Sequence, residues 1–202
     1  MNEKIIVGLH GGAGSGKDTL ATYMADVFHF KYTKSSNRLA FADPIRQIAL
    51  MFGFTMEQCT DRVLKETVDS FWGISPRKFT QLVGTEMFRN IFRPDCWTTL
   101  LRRKADLLTD PVLFITDIRM DNEAELVHAM GGVVLHVKRD APTSLVGDTT
   151  QHVTERTLDP RQIDSVIYND GTLDELMAKA TETVDKLELV SHAVQTYHDQ
   201  IR

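Results

Sequence analysis

Cysteine is scarce: Cys59 and Cys96 are the two thiols in 202 residues, and they form no metal-type cluster. Their number and separation exclude a disulfide framework and point to free thiols in a reducing cytosol. Long apolar runs are missing too. None approaches the ~18 residues needed to span a bilayer, and the first residues show no apolar stretch of the kind that marks a signal peptide. The chain has no excess of positive charge either. With a formal net charge of −5 it offers no general attraction to a nucleic-acid polymer. Internal repeats and low-complexity segments are absent as well. What remains is ordinary globular composition, 42% hydrophobic and 25% charged. The length fits one domain with room for an inserted subdomain.

The most informative stretch is Gly11-Gly12-Ala13-Gly14-Ser15-Gly16-Lys17-Asp18-Thr19. It follows the apolar run Lys4 to His10 and opens a segment with Leu20, Met24, Val27 and Phe28 at helical spacing. Strand, glycine-rich turn and helix form the setting of a phosphate-binding loop. The glycines let successive backbone N–H groups face an anion, and Lys17 adds a mobile positive charge. The helix dipole points its positive end at the same place. The spacing fits G-x-x-x-x-G-K at Gly11, Gly16 and Lys17, but Asp18 replaces the usual hydroxyl residue and Thr19 follows. A flexible turn with a surface lysine is the bland alternative. The expected ligand is a nucleoside polyphosphate.

Further along, Phe30 to Ser35 reads as a weak second strand, and a helix starts at about residue 44, with Asp43 as N-cap and Pro44 in the first turn. Arg46 then lies in that first turn, either near the loop's ligand or simply solvated. Residues 53–75 are irregular, with a short helix expected. Ser75-Pro76 opens a helix through Phe92, with Phe79, Leu82, Val83, Met87 and Ile91 on one side. Arg77, Gln81, Thr85 and Arg89 recur every four residues on the other side. Two guanidinium forks flanking an amide and a hydroxyl suit a phosphate and a base; a solvated face would carry more acids than the single Glu86. Trp97 either stacks on a base or anchors the core.

Pro111 to Asp117 reads as a buried strand of a parallel sheet, which puts Asp117 at its carboxyl end, where open α/β sheets bind ligands. There it holds the Mg²⁺ of a nucleotide or forms an ion pair with Arg119. Asn122 to Met130 is helical and Val133 to Val137 is the next strand, with Arg139 at its carboxyl end. The polar stretch from Asp140 to Pro160, with His152, Glu155 and Arg156, suits a lid. Transfer to a phosphate oxygen needs little base catalysis, so His152 reads as structural. Ser165 to Tyr168 is the last strand. The turn Asn169-Asp170-Gly171 either lines an adenine pocket or merely joins strand to helix, and Thr172 caps a long helical tail.

Taken in order, Gly16-Lys17-Asp18-Thr19, Phe41-Ala42-Asp43-Pro44, Pro76-Arg77-Lys78 with Gln81 to Glu86, Asp117-Ile118-Arg119 with Asn122-Glu123, His152 with Glu155, and Asn169-Asp170-Gly171 resemble the deoxynucleoside monophosphate kinases of tailed bacteriophages. The resemblance covers roughly residues 4–176. It implies an α/β fold of the P-loop NTPase type, in which helices flank a parallel sheet of five strands in three layers. A single kinase domain over residues 1–202 would carry an acceptor region near 37–100 and a lid near 140–160. The implied reaction moves the γ-phosphoryl of ATP onto a dNMP, with Mg²⁺ bridging the phosphates, in the cytoplasm (the host's, if the chain is phage-encoded). Gly11 to Thr19 would cradle ATP, with Arg139 and Asn169 also on that nucleotide. Lys17, Arg119, Arg139 and Arg156 would gather around the transferring group. Arg46, Arg77 and Arg89 would hold the acceptor phosphate, and Gln81, Thr85, Asp95, Trp97 and Asp117 would complete the acceptor site. Because of Asp18, the metal would rely on Thr19, Asp18 through water, or Asp117. The partners implied are ATP and a dNMP, with neither a nucleic-acid polymer nor a membrane. The C-terminal helix is a candidate homodimer interface.

Three rival readings remain. One is a kinase of the same fold acting on another phosphorylated acceptor, such as a ribonucleotide or dephospho-coenzyme A. Another is a nucleotide-gated regulatory protein. The third, a dinucleotide-binding module, lacks a placed G-x-G-x-x-G.

Overall fold

Strand β1 (Ile5–His10) is apolar on both faces and lies at the centre of a parallel sheet ordered β2-β3-β1-β4-β5. The other strands are β2 (Ser36–Leu39), β3 (Val112–Ile118), β4 (Val133–Lys138) and β5 (Ser165–Tyr168). The computed structural model describes residues 4–139 and 158–200. Its chain divides into two compact units, one comprising residues up to Leu39 and from Ala105 onward, the other Ala40–Lys104.

The first unit holds the whole sheet. Val7 and Leu9 face α1 (Lys17–Tyr32) and α7 (Leu173–Gln200), packing with Leu20, Met24, Phe28, Leu176 and Val184. The alternate residues Ile6 and Gly8 face the other side, where a Cβ on Gly8 would run into Ile118 and Val127 of α6 (Asp121–Ala129). Helices thus cover both faces, which is why β1 and β3 read as unbroken apolar runs. Phe28, Leu20 and Met24 are completely buried, and each such burial stabilises the fold by about 1.5–3 kcal/mol. Since β2 and β4 lie on opposite sides of β1, the chain leaves β1 where the sheet reverses its winding. Ligands of open α/β sheets sit in that crevice.

The expected strand over Phe30 to Ser35 is not there. α1 runs on to Tyr32 and stops at Thr33, whose φ of 54° ends the helix in the left-handed region. Tertiary contact overrides the local pattern: the Tyr32 hydroxyl and Lys31 Nζ both donate to Asp185 of α7, at 2.7 Å each. Lys34 likewise reaches Glu188 at 2.7 Å. In this helical setting Phe28 turns inward and Phe30 outward. The second strand starts later, at Ser36.

The second unit is helical. α2 (Asp43–Met51) begins one residue before the expected position, and Asp43 bonds back to the Ala40 N–H at 3.1 Å instead of capping its own helix. A reciprocal Thr55–Gln58 capping box opens α3 (Met56–Thr60). The single helix expected from Pro76 to Phe92 is instead α4 (Pro76–Gln81) followed by a π-helical segment, Leu82–Phe92. The wider turn changes which residues face inward. Val83 and Gly84 are buried, while Met87 and Ile91, expected on the apolar face, are exposed. Then α5 (Cys96–Leu107) buries Trp97, whose ring lies 4.9 Å from that of Phe88.

Candidate active site

The glycine loop connects the carboxyl end of β1 to the first turn of α1, at the sheet reversal. Gly14 and Gly16 hold φ of 75° and 90°, in the left-handed region that only glycine adopts without strain. At Gly16 space is short as well, since an added Cβ would lie 2.2 Å from Asn169 Nδ2. Lys17 folds back along the loop, its Nζ 3.5 Å from the Gly12 carbonyl, with the side chain largely sheltered. Ser15 Oγ is buried and has no hydrogen-bond partner. A buried hydroxyl with no protein partner, in a glycine loop of this shape, suits an anion-binding cradle.

Across the loop lies the turn after β5. Asn169 is buried; its Nδ2 donates to the Ser15 carbonyl at 2.9 Å, and its backbone N–H donates to the Lys138 carbonyl at 2.7 Å. The turn thereby ties the loop to β4. Loop and turn together wall a cleft of about 320 Å³ lined by Gly14, Gly16 to Thr19, Arg139, Asn169 and Gly171 to Leu173. Much of the ATP-side set named from sequence therefore converges: Lys17, Asp18, Thr19, Arg139 and Asn169 border one cavity. Asn169 spends its side chain on the loop itself, so its structural part is to shape the cradle.

Asp117 and Arg119 stand at the end of β3, outside that cleft. The β1–β3 pairing slips by one residue there, Gly8 facing Ile115 but His10 facing Ile118, and such an irregularity re-aims the side chains that follow. His10 Nδ1 lies 2.9 Å from the Ile118 carbonyl and pins this end of the strand. The buried Glu123 carboxylate accepts from the Arg119 and Met120 N–H groups at 2.8 and 3.2 Å, holding the Arg119 backbone. The His10 ring also meets the His136 ring at a tilt of 56°, 4.8 Å between centroids. Burial first, then the charges of His10 and Lys138, push the His136 imidazole below its ordinary pKa. Arg156 and the stretch expected to form the lid lie outside the described residues, apart from its last positions.

In the helical unit, Arg77 leaves the first turn of α4 and approaches Glu66 at 3.3 Å. Gln81, Thr85 and Arg89 are half-buried on the following turns. Arg46 pairs with Asp43 at 2.8 Å. Arg93 donates to Asp95 at 2.8 Å, and this hydrogen bond holds the Asp95 carboxyl below the usual carboxylate range. Trp97 is buried and its indole N–H is taken by the Gly84 carbonyl at 2.8 Å, which makes it a core anchor here. One residue of the loop region escaped sequence reasoning. Arg38 of β2 donates to Asp18 at 3.1 Å, a contact 20 positions long that required β2 to be placed correctly.

Oxygen donors suited to Mg²⁺ are present: the Thr19 hydroxyl and the Asp18 carboxylate in the loop, with Asp117 at the end of β3. Among the described residues no cluster of three or more His, Cys, Asp or Glu could hold a metal alone.

A family profile described as deoxynucleotide monophosphate kinase matches residues 51–180. A protein of Acanthamoeba polyphaga mimivirus carrying the same kinase designation is 30% identical over 198 residues, covering 90% of this chain and 96% of its own. The deoxynucleoside-5′-monophosphate kinase of Escherichia phage T5 is 30% identical over 178 residues, covering 61% of this chain and 71% of its own. Among solved structures, an APS kinase of Mycobacterium tuberculosis superposes over 93% of this chain and 99% of its own, with a TM-score of 0.49 and 16% identity.

Proposed function

The chain belongs to the deoxynucleotide monophosphate kinase family, and from that premise we infer that it transfers the γ-phosphoryl of ATP to the 5′-phosphate of a deoxynucleoside monophosphate. The observation that carries this reading is the cleft at the sheet reversal, where a glycine loop, Lys17, Arg139 and Asn169 meet.

On this reading the loop's N–H groups and the α1 dipole hold the ATP phosphates. Lys17 follows the γ-phosphoryl as negative charge shifts between leaving and attacking oxygens, with Arg119, Arg139 and Arg156 added around it. Such groups act by being in place before charge develops, so they cost no reorganisation during the step. The attacking atom is an acceptor phosphate oxygen that is already anionic. It needs no strong base, only alignment and relief from repulsion by the γ-phosphoryl. Thr19, Asp18 through water, or Asp117 would hold Mg²⁺, which would supply further charge neutralisation to the phosphates.

Arg77 and Arg89, with Arg46 as the third cation, hold the acceptor's phosphate. Gln81, Thr85 and Asp95 supply the amide, hydroxyl and carboxylate for its sugar and base. Trp97 supports them from the core. The chain works in the cytoplasm, where both nucleotides are found. Among the described residues no helix is long and apolar enough to cross a membrane.

The deciding experiment follows ADP release from Mg·ATP with each dNMP and each NMP supplied in turn. Stimulation by one or more dNMPs fixes the reaction and its base range. ATP binding with no stimulation by any nucleotide would transfer the reading to a different acceptor.

A further inference from the structure

In this loop a carboxylate takes the place next to the lysine where the general pattern has a hydroxyl, so an incoming phosphate meets Asp18 beside its main cation. Lys17 Nζ lies 4.0 Å from Asp18 Oδ2. The other carboxylate oxygen, Oδ1, is taken by Arg38 Nη2 at 3.1 Å, and the same nitrogen lies 3.3 Å from the Asp18 carbonyl oxygen. Arg38 thus grips both the side chain and the backbone of Asp18. It reaches the loop from the outermost strand, one residue before β2 ends, in register with Phe114. Asp18 itself is well exposed and borders the same cleft as Lys17.

We propose that Arg38 is a positioning residue for phosphoryl transfer: by holding Oδ1 of the Asp18 carboxylate it keeps the contact with Lys17 at a long 4.0 Å and so stops that charge from closing on the lysine. This inference rests on the reading of the loop as the ATP site. An aspartate turns freely about two torsions, and with Arg38 absent its nearest cation is the lysine that must meet the γ-phosphoryl. A carboxylate on the ammonium competes directly with phosphate for the same donors. The carboxylate has an independent reason to be tolerated, because an acid in the first turn of a helix interacts favourably with the dipole. Arg38 and Asp18 therefore work as a pair, and the loop's departure from the hydroxyl pattern depends on an arginine two elements away.

A kinetic double-mutant cycle tests this, with ATP affinity measured by calorimetry in the absence of acceptor. Arg38→Ala is expected to lower kcat/KM for ATP by up to about fivefold, the scale on which exposed ion pairs couple, and to weaken ATP binding. Asp18→Asn combined with Arg38→Ala is expected to be more active than Arg38→Ala alone, because no carboxylate remains to hold Lys17. A pair that matters only for folding gives a different result: the double variant is no better than the single one, and both melt earlier. That outcome overturns the proposal, as does an Arg38→Ala enzyme with unchanged ATP kinetics. Lys17→Ala in the same assays separates the two levels. If it still binds and transfers normally, the loop reading itself fails; if it is inactive while Arg38→Ala is unaffected, only the role of Arg38 fails.

Discussion

The side-chain amide of Asn169 donates a 2.9 Å hydrogen bond to the backbone carbonyl of Ser15, across 154 positions of sequence. It joins the turn after β5 to the middle of the glycine loop, and both partners are buried. Asn169→Ala leaves the Ser15 carbonyl buried without a donor, which costs about 1–3 kcal/mol. The expected result is a lower Tm together with a raised KM for ATP, because the loop loses the strut that sets its curvature. Asn169→Asp keeps the shape but presents an acceptor to an acceptor, and should be at least as harmful. Thermal melting and ATP titration of both variants check this. Unchanged ATP kinetics would remove Asn169 from the cradle.

Gly16 faces the same amide from the other side. A methyl group there meets Asn169 Nδ2 at 2.2 Å and must also adopt a φ of 90°. The backbone penalty alone is about 1–2 kcal/mol. Gly16→Ala should therefore weaken ATP binding more than Gly12→Ala, whose added Cβ meets nothing within 4 Å. Parallel calorimetric titrations compare the two, and equal losses would mean that the space around Gly16 is irrelevant.

Elements that depend on neighbours in sequence were legible from sequence, and those decided elsewhere in the chain were not. The strand, loop and helix around Lys17 declare themselves through glycine spacing and helical periodicity. β2 is four residues long and polar on an edge, and the segment before it was claimed by α1 because of Asp185, more than 150 positions away. No local pattern announces the π-helical turn at 82–92, so the apolar stripe drawn for an α-helix wrongly put Met87 and Ile91 inside. The site shows the same division. Lys17, Thr19 and Arg139 were visible as chemistry at strand ends, whereas Arg38 needed the sheet order before its partner could be found.

The His136 imidazole, tilted against the His10 ring, gives the fold a pH dependence whose sign follows from its cause. Burial first, then the charges of His10 and Lys138, push the His136 pKa below its ordinary value of about 6.5. The unfolded chain therefore takes up this proton more readily than the native one. The stability tied to a neutral His136 is complete above about pH 6.5 and is lost as pH falls through the lowered native value. Tm measured between pH 7.5 and 5.5 should drop more steeply for the parent chain than for His136→Gln, which cannot titrate. Identical slopes would show that His136 ionises freely in the folded protein.

The strongest separation between the two nucleotide sites comes from comparing one lysine with one arginine. Lys17 lies inside the loop, largely sheltered, so on the proposed reading Lys17→Ala removes the charge that faces the transferring group and leaves the packing of β1 and α1 intact. Loss of one preorganised charge of this kind lowers kcat by about a hundredfold or more, with an unchanged Tm. Arg77 belongs to the helical unit and meets Glu66 at its surface. Arg77→Ala should raise KM for the acceptor at least about tenfold, the scale of a lost charge-assisted hydrogen bond, and leave KM for ATP nearly constant. Steady-state kinetics with each substrate varied in turn distinguish the two. If Arg77→Ala weakened both substrates equally, the acceptor site would lie elsewhere. An Arg77→Ala chain that lost only kcat would instead place this arginine on the transferring phosphoryl, because an interaction made only in the transition state leaves KM untouched.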